Sequence, residues 1–306
     1  MFLQYTFLLL ALLSTLAFRL YGAKSLSRAA WFALMLLGFI VPFAIVALSN
    51  FKVERYSYPG YAPLFVLAGL GMSVIWRQNP KVTGRGHYAH RIAVSPDGRY
   101  LFVASGDRQK MDPAQDTSNN LGSIVRLNLD GSPAAGNPFA GQAGKAQDIW
   151  SWGHRNTLGL AFDAQGRLWN LEHGPAGGDE INLVKKGANY GWPVVSEGDH
   201  YDGTVIPPHS TRPEFAAPAI SWSPVIAPGD FIIYRGGMFP QWRGQAIIGG
   251  MSPTVLVRVA FDGEQAREVA RHPMERRIRE VVEAPDGSIL VLEDKAGARL
   301  LRLTPQ

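Results

Sequence analysis

Ser95-Pro96-Asp97-Gly98-Arg99-Tyr100-Leu101-Phe102-Val103 sets a tight turn followed at once by an apolar strand. The pattern returns as Asp163-Ala-Gln-Gly166 before Arg167-Leu-Trp-Asn-Leu171 and as Ile226-Ala-Pro-Gly229 before Asp230-Phe-Ile-Ile-Tyr234. It returns again as Ala284-Pro-Asp-Gly287 before Ser288-Ile-Leu-Val-Leu292. The four glycines are 68, 63 and 58 residues apart. Each is placed to supply the positive φ of a turn that an L-residue resists.

A second strand echoes at matching phase. Ile124-Val-Arg-Leu127 runs into Asn128-Leu-Asp-Gly131, and Leu256-Val-Arg-Val259 runs into Ala260-Phe-Asp-Gly263. Leu300-Leu-Arg-Leu303 closes the chain in the same way. Several short strands per unit, with no amphipathic helix between them, read as the blades of an all-β propeller. A β-sandwich with long loops is the competing reading. About four blades can be counted, the low end of the ~4–8 that close such a ring.

Upstream the composition changes. Residues 1–77 are dominated by Leu, Ala, Phe, Val and Ile, and residues 78–306 by Gly, Pro, Asp and Arg. Phe2–Phe18 and Ala29–Ser49 carry no charge; the second has 21 residues, about the ~20 that span a bilayer core. Between them lie Arg19, Lys24 and Arg28 without an acid. The positive-inside tendency places that loop in the cytoplasm, and with it an anchored domain outside. The sequence therefore predicts a membrane-anchoring helical segment over 1–80 and an extracytoplasmic propeller over 81–306. Tyr61–Trp76 is a shorter apolar run broken by Pro63, Gly69 and Gly71; if it crosses, the domain returns to the cytoplasm. A cleaved signal peptide fits less well, since a second long apolar run follows the first.

The chain has no cysteine, which excludes disulfides, thiolate metal sites and cysteine nucleophiles. The formal charge of +5 is scattered, without the basic block of a nucleic-acid arm. Chemistry concentrates elsewhere, from Gly153-His-Arg-Asn156 through Glu172-His-Gly-Pro-Ala-Gly-Gly-Asp-Glu-Ile-Asn182 to Lys186-Gly-Ala-Asn-Tyr-Gly-Trp-Pro193. Acids, asparagines and glycines this dense let carbonyls and carboxylates converge on a hard cation such as calcium. The spacing of acids is not that of an EF-hand, and an ordinary solvated loop is the alternative.

These three runs closely resemble the pyrroloquinoline quinone (PQQ)-dependent glucose and aldose sugar dehydrogenases, including the sorbosone dehydrogenase-like members. Flanking matches at His87-Tyr-Ala-His-Arg-Ile92, Gly106-Asp107, Phe239-Pro-Gln-Trp-Arg-Gly244 and Arg277-Ile-Arg279 extend the likeness over roughly residues 84–306. The resemblance implies a six-bladed propeller, within the range that closes, that oxidises a sugar with PQQ and calcium. It implies His87 as the base at the anomeric hydroxyl, Asp107 as the acid that orients it, and Arg155 beside the quinone carbonyl. Asn156 and His173 would hold the cofactor edge, and Arg277 and Arg279 its carboxylates. The carbonyls of Gly174 and Pro175 would bind the catalytic calcium; Glu180 and the Tyr190 carbonyl would bind a second, structural one.

Three departures stand out. Ser252 occupies or adjoins the place of a family lysine, and His90 replaces a glycine where it would crowd the substrate. The family also implies about two more blades ahead of His87, where apolar sequence stands here, so the chain reads as truncated at those blades. Such a ring would expose sheet edges. Two other functions compete: a membrane-tethered, non-catalytic propeller that binds a partner, and a calcium-dependent lactonase-like hydrolase needing a carboxylate cage.

Overall fold

The computed structural model describes residues 84–88 and 90–305, which form an all-β structure of four antiparallel sheets and one two-stranded ribbon. The first sheet runs β1 (Ile92–Val94), β2 (Tyr100–Ser105), β3 (Ser123–Asn128) and β4 (Ile149–Trp152). The second contains β5 (Thr157–Phe162), β6 (Leu168–Glu172), β8 (Asp179–Leu183) and β10 (Ile220–Trp222). The ribbon pairs β7 (Ala176–Gly177) with β9 (Gly198–Asp199). The third sheet runs β11 (Pro228–Ile233), β12 (Ala246–Met251), β13 (Thr254–Asp262) and β14 (Gln265–Pro273). The fourth has three strands, β15 (Ile278–Glu283), β16 (Ile289–Glu293) and β17 (Leu300–Leu303).

The arrangement is consistent with a propeller. In every large sheet the strands are laid down in chain order from the inside outward, and the first strands β1, β5, β11 and β15 adjoin in succession. Because neighbouring side chains on a strand point to opposite faces, each sheet buries two apolar surfaces. Phe102 and Ala104 of β2 pack with Leu168 and Val184 of the second sheet. Trp169 and Leu171 meet Phe231, Ile248 and Val257 of the third. Ile247 and Leu256 turn the other way, onto Ile278, Val281 and Val291 of the fourth. Full burial of one such side chain contributes about 1.5–3 kcal/mol, so these seams hold the sheets together. The last sheet leaves Val282, Leu292 and Leu300 exposed on its far face.

Three of the four repeat glycines behave as expected. Gly98, Gly166 and Gly287 have φ of 70°, 77° and 83°, and each turns the first strand of its sheet into the second. Gly229 does not: it lies inside β11, and the matching turn of that sheet is at Gly244, φ 80°. Gly229 instead permits a close approach, since a Cβ there would stand 2.4 Å from the Arg279 carbonyl oxygen on β15. The second echo holds throughout, with β3, β13 and β17 each third in its sheet.

The expected transmembrane helices and membrane-anchored location are corrected. No helix among the described residues is long and apolar enough to cross a membrane; their helices are short 3-10 turns at Asp112–Gln115, His209–Thr211 and Pro240–Trp242. The apolar runs 2–18, 29–49 and 61–76 lie outside the described residues.

One ion cluster crosses between sheets. Arg91, just ahead of β1, donates to both carboxylate oxygens of Glu280 on β15 at 3.1 Å and to the Gly229 carbonyl on β11 at 3.0 Å. Asp230 of β11 stands 3.6 Å from the same guanidinium.

Candidate active site

The loops at one end of these strands bring the quoted motifs together. His87 precedes β1, and Asp107 follows β2 on the turn Gly106–Met111. His87 Nδ1 lies 2.5 Å from Asp107 Oδ1. Asp107 is fully buried and accepts the Gln109 amide at 2.8 Å and the Trp192 indole Nε1–H at 2.8 Å. Burial acts to raise this carboxyl, but His87, Trp192 and the Gln109 amide outweigh it, and it titrates below the usual carboxylate range. An ionised Asp107 fixes the proton of His87 on Nδ1 and leaves Nε2 as the basic nitrogen.

Gly153–Asn156 links β4 to β5. Arg155 is 6% exposed; its Nη1 donates to the His173 carbonyl at 3.0 Å and its Nη2 reaches the Tyr201 hydroxyl at 3.4 Å. The Trp192 ring lies 5.1 Å from its guanidinium carbon, a cation–π contact. The backbone is tied as well: the Asp107 amide donates to the Arg155 carbonyl at 2.9 Å. Trp192 thus touches both the histidine–carboxylate pair and the arginine. Arg155 Nε and Asn156 Oδ1 are buried without a hydrogen-bond partner, the condition polar ligand atoms would relieve.

The segment after β6 is held by two groups. Asp179 accepts the amides of Gly174 at 2.9 Å, Ile226 at 2.9 Å and Ala227 at 2.7 Å. His173 Nε2 lies 2.7 Å from the Pro228 carbonyl oxygen. Burial, countered by Asp179 and that carbonyl and assisted by Arg155, holds the His173 imidazole below its ordinary value. The Gly174 and Pro175 carbonyls accept no hydrogen bond among the described residues, so their lone pairs suit a hard cation.

Glu180 and Glu172 face each other across β8 and β6. Burial, reinforced by the Glu172 charge, pushes the Glu180 carboxyl up to about 8. A void of about 10 Å³, bordered by both acids, Tyr190 and His209, adjoins them, room for one water-sized body. The Tyr190 carbonyl already faces His209 Nε2 at 3.0 Å, and a carbonyl's second lone pair remains for a cation. Among the described residues no group of three or more histidines and acids is placed to hold a metal, so the carboxylate cage of a lactonase-like hydrolase is not found there.

Arg277 and Arg279, expected to pair with cofactor carboxylates, lie side by side at β15. Both guanidinium groups converge on Asp294 Oδ2, at 2.9 Å and 3.0 Å. His90, expected to crowd the substrate, packs on Arg108, Nε2 to Nη2 3.4 Å. Ser252 is an exposed turn residue between β12 and β13.

Several residues escaped the sequence reading. His154 is buried, Nδ1 against the Glu172 carboxylate and Nε2 2.9 Å from Ser151 Oγ, while the other Glu172 oxygen accepts the Arg155 amide at 2.8 Å. Its position inside Gly-His-Arg-Asn was the available signal. Trp192 and Asp179 also stood inside the quoted runs without a role.

Residues 68–302 match the glucose/sorbosone dehydrogenase family. The chain is 36% identical to the aldose sugar dehydrogenase YliI of Escherichia coli, over 76% of this chain and 64% of that one. The crystal structure of the soluble aldose sugar dehydrogenase from Escherichia coli, in its apo form, superposes with a TM-score of 0.67 at 34% identity, covering 74% of this chain and 67% of that one. The PQQ-bound aldose sugar dehydrogenase of Streptomyces coelicolor gives 0.52 at 29% identity, covering 71% and 62%. The chain spans 59–65% of the length of the curated relatives it matches over most of its own length.

Proposed function

The chain belongs to the glucose/sorbosone dehydrogenase family, and from that premise we propose that this face binds PQQ and calcium and oxidises an aldose at its anomeric carbon. The observation that carries the reading is that Trp192 links the His87–Asp107 pair to Arg155, whose Nε is buried and unpartnered. When bound, the quinone supplies a hydride acceptor and calcium a Lewis acid. His87 Nε2 takes the proton of the anomeric hydroxyl, and Asp107 holds the tautomer that makes this nitrogen basic. Arg155 presents a preorganised positive charge where negative charge develops on oxygen. Asn156 and His173 line the cofactor edge. The Gly174 and Pro175 carbonyls hold calcium, and Glu180 with the Tyr190 carbonyl holds a second ion. Arg277 and Arg279 would pair with carboxylates of the cofactor in place of Asp294, where a guanidinium offers charge-assisted hydrogen bonds.

The test adds PQQ and calcium to the purified chain and follows absorbance and aldose-dependent dye reduction. A cofactor spectrum with turnover that needs both additions is expected. Bound PQQ without turnover would overturn the catalytic reading in favour of a binding module. No bound PQQ would overturn the dehydrogenase reading itself.

A further inference from the structure

Five non-glycine residues among the described ones have positive φ, and four of them are His87 itself (57°) and, just after Asp107, Arg108 (60°), Gln109 (57°) and Met111 (61°). Left-handed backbone at such residues costs on the order of 1–3 kcal/mol each and persists only where surrounding contacts over-determine it. At His87 the contact is a guanidinium. Arg108 Nη1 donates to the His87 carbonyl at 2.9 Å and to the Gly106 carbonyl at 3.0 Å. Its Nη2 points to His90 Nε2 at 3.4 Å and Ser105 Oγ at 3.5 Å. The Tyr88 ring lies 4.9 Å from the guanidinium carbon, and its hydroxyl donates to the Gly84 carbonyl at 2.6 Å.

Arg108 is 5% exposed, and its nearest acceptors are carbonyls. A buried cation is expensive unless its hydrogen bonds are well made, so this placement needs a return. The two carbonyls name it: one belongs to the histidine, the other to the residue directly before its acid. They are also crowded together, since a Cβ on Gly106 would stand 2.2 Å from the His87 oxygen. One nitrogen therefore sets the spacing of the two peptides that carry the pair.

We propose that Arg108 is a positioning residue, whose guanidinium locks the left-handed backbone of His87 and thereby aims Nδ1 at Asp107. The role rests on the dehydrogenase reading only for its meaning in turnover; the geometry is a property of the unloaded chain. Lysine would not replace it, because an ammonium donating to both carbonyls has no planar face to stack on Tyr88 and no second nitrogen toward His90 and Ser105.

The experiment is proton NMR of ¹⁵N-histidine-labelled protein without cofactor or metal. Two strongly downfield imidazole N–H signals are expected, from His87 against Asp107 and from His154 against Glu172; Asp107→Asn assigns the first. Arg108→Met and Arg108→Lys should each abolish or shift upfield the His87 signal while the His154 signal, reporting an intact second sheet, stays. An unmoved His87 signal in either folded variant overturns the proposal. Loss of both signals in both variants makes Arg108 a residue of the fold at large and overturns it equally. In turnover, Arg108→Lys should lower kcat on the order of 100-fold, as a misplaced catalytic group does, with KM held. A responsive His87 signal in a wild-type chain that turns over no aldose would leave this inference standing and remove the dehydrogenase reading.

Discussion

The indole N–H of Trp192 donates to Asp107 Oδ2 at 2.8 Å, across 85 residues of sequence. That one bond joins the turn after the first sheet's second strand to the loop beyond the second sheet's third. The same ring lies against the Arg155 guanidinium, so the carboxylate that holds His87 and the arginine share one rigid neighbour.

Replacing Asp107 with asparagine should separate catalysis from fold. The amide offers His87 no charged acceptor, and turnover should fall about 10²–10⁴-fold, the span of general-base contributions. Stability changes with a definite sign. The folded carboxyl titrates below its ordinary value, so its contribution is present above about 3.9 and lost as pH falls through the lower folded value. Denaturant titrations between neutrality and strong acid should show this acid loss in the wild type and a flatter curve in Asp107→Asn.

Trp192→Phe keeps an aromatic face for Arg155 and deletes only the donor. Asp107 Oδ2 then retains the Met111 amide, at 3.3 Å. A destabilisation of about 1–3 kcal/mol is expected for a lost bond to a buried charge, with a fall in kcat of roughly tenfold, equivalent to about 1.4 kcal/mol of lost positioning. Trp192→Leu, which also removes the ring, should cost more in kcat; equal losses would assign the effect to the hydrogen bond alone.

These contacts mark the limit of what the sequence makes legible. The turns at Gly98, Gly166 and Gly287 and the third-strand echo are local, and period and turn chemistry report local structure. Gly229 matched the turn pattern by letters alone, because a close strand approach and a left-handed turn select the same residue. The motif face drew attention to Arg155, Asn156 and His173 but not to Trp192 as a donor to Asp107, since an indole N–H declares no partner along the chain. His154 stayed unassigned because Glu172 reaches it from another strand. The membrane expectation came from hydropathy over residues 1–77, and no described helix carries it. The capture of Arg277 and Arg279 by Asp294 belongs to packing at the end of β15 and β16, which no spacing rule encodes.

Asp230 gives a pH test away from the chemistry. Burial is the main cause that pushes its carboxyl up to about 8; the Glu280 carboxylate adds to this and Arg91 opposes it. A raised folded value means that the folded chain holds a proton the unfolded chain has released. The contribution is therefore fully present below about 4 and lost progressively as pH rises to about 8. Unfolding free energy should decline across this window by about 1.4 kcal/mol per pH unit at most. Asp230→Asn should flatten the slope, because an amide cannot release the shared proton, and equal slopes in the two proteins would show that Asp230 is not its source.

Asp294 supplies the last test, of whether Arg277 and Arg279 serve a ligand or the fold. Asp294 draws both guanidinium groups to one oxygen, the arrangement a bound carboxylate would otherwise impose. The two arginine side chains remain 49% and 40% exposed, and ion pairs of that kind contribute about 0–1 kcal/mol. Exchange for a ligand carboxylate is therefore cheap. Asp294→Asn should leave stability within about 1 kcal/mol of wild type while PQQ, titrated by quenching of tryptophan fluorescence, binds about tenfold tighter, since the internal competitor is gone. Arg277→Ala and Arg279→Ala should each weaken binding by a factor of about 10, the lower end for a charge-assisted hydrogen bond. If Asp294 instead orders the arginines for the ligand, its asparagine variant will bind PQQ more weakly, and the competitor role is wrong. If all three variants bind alike, the arginines belong to the surface of the fourth sheet and the cofactor lies elsewhere.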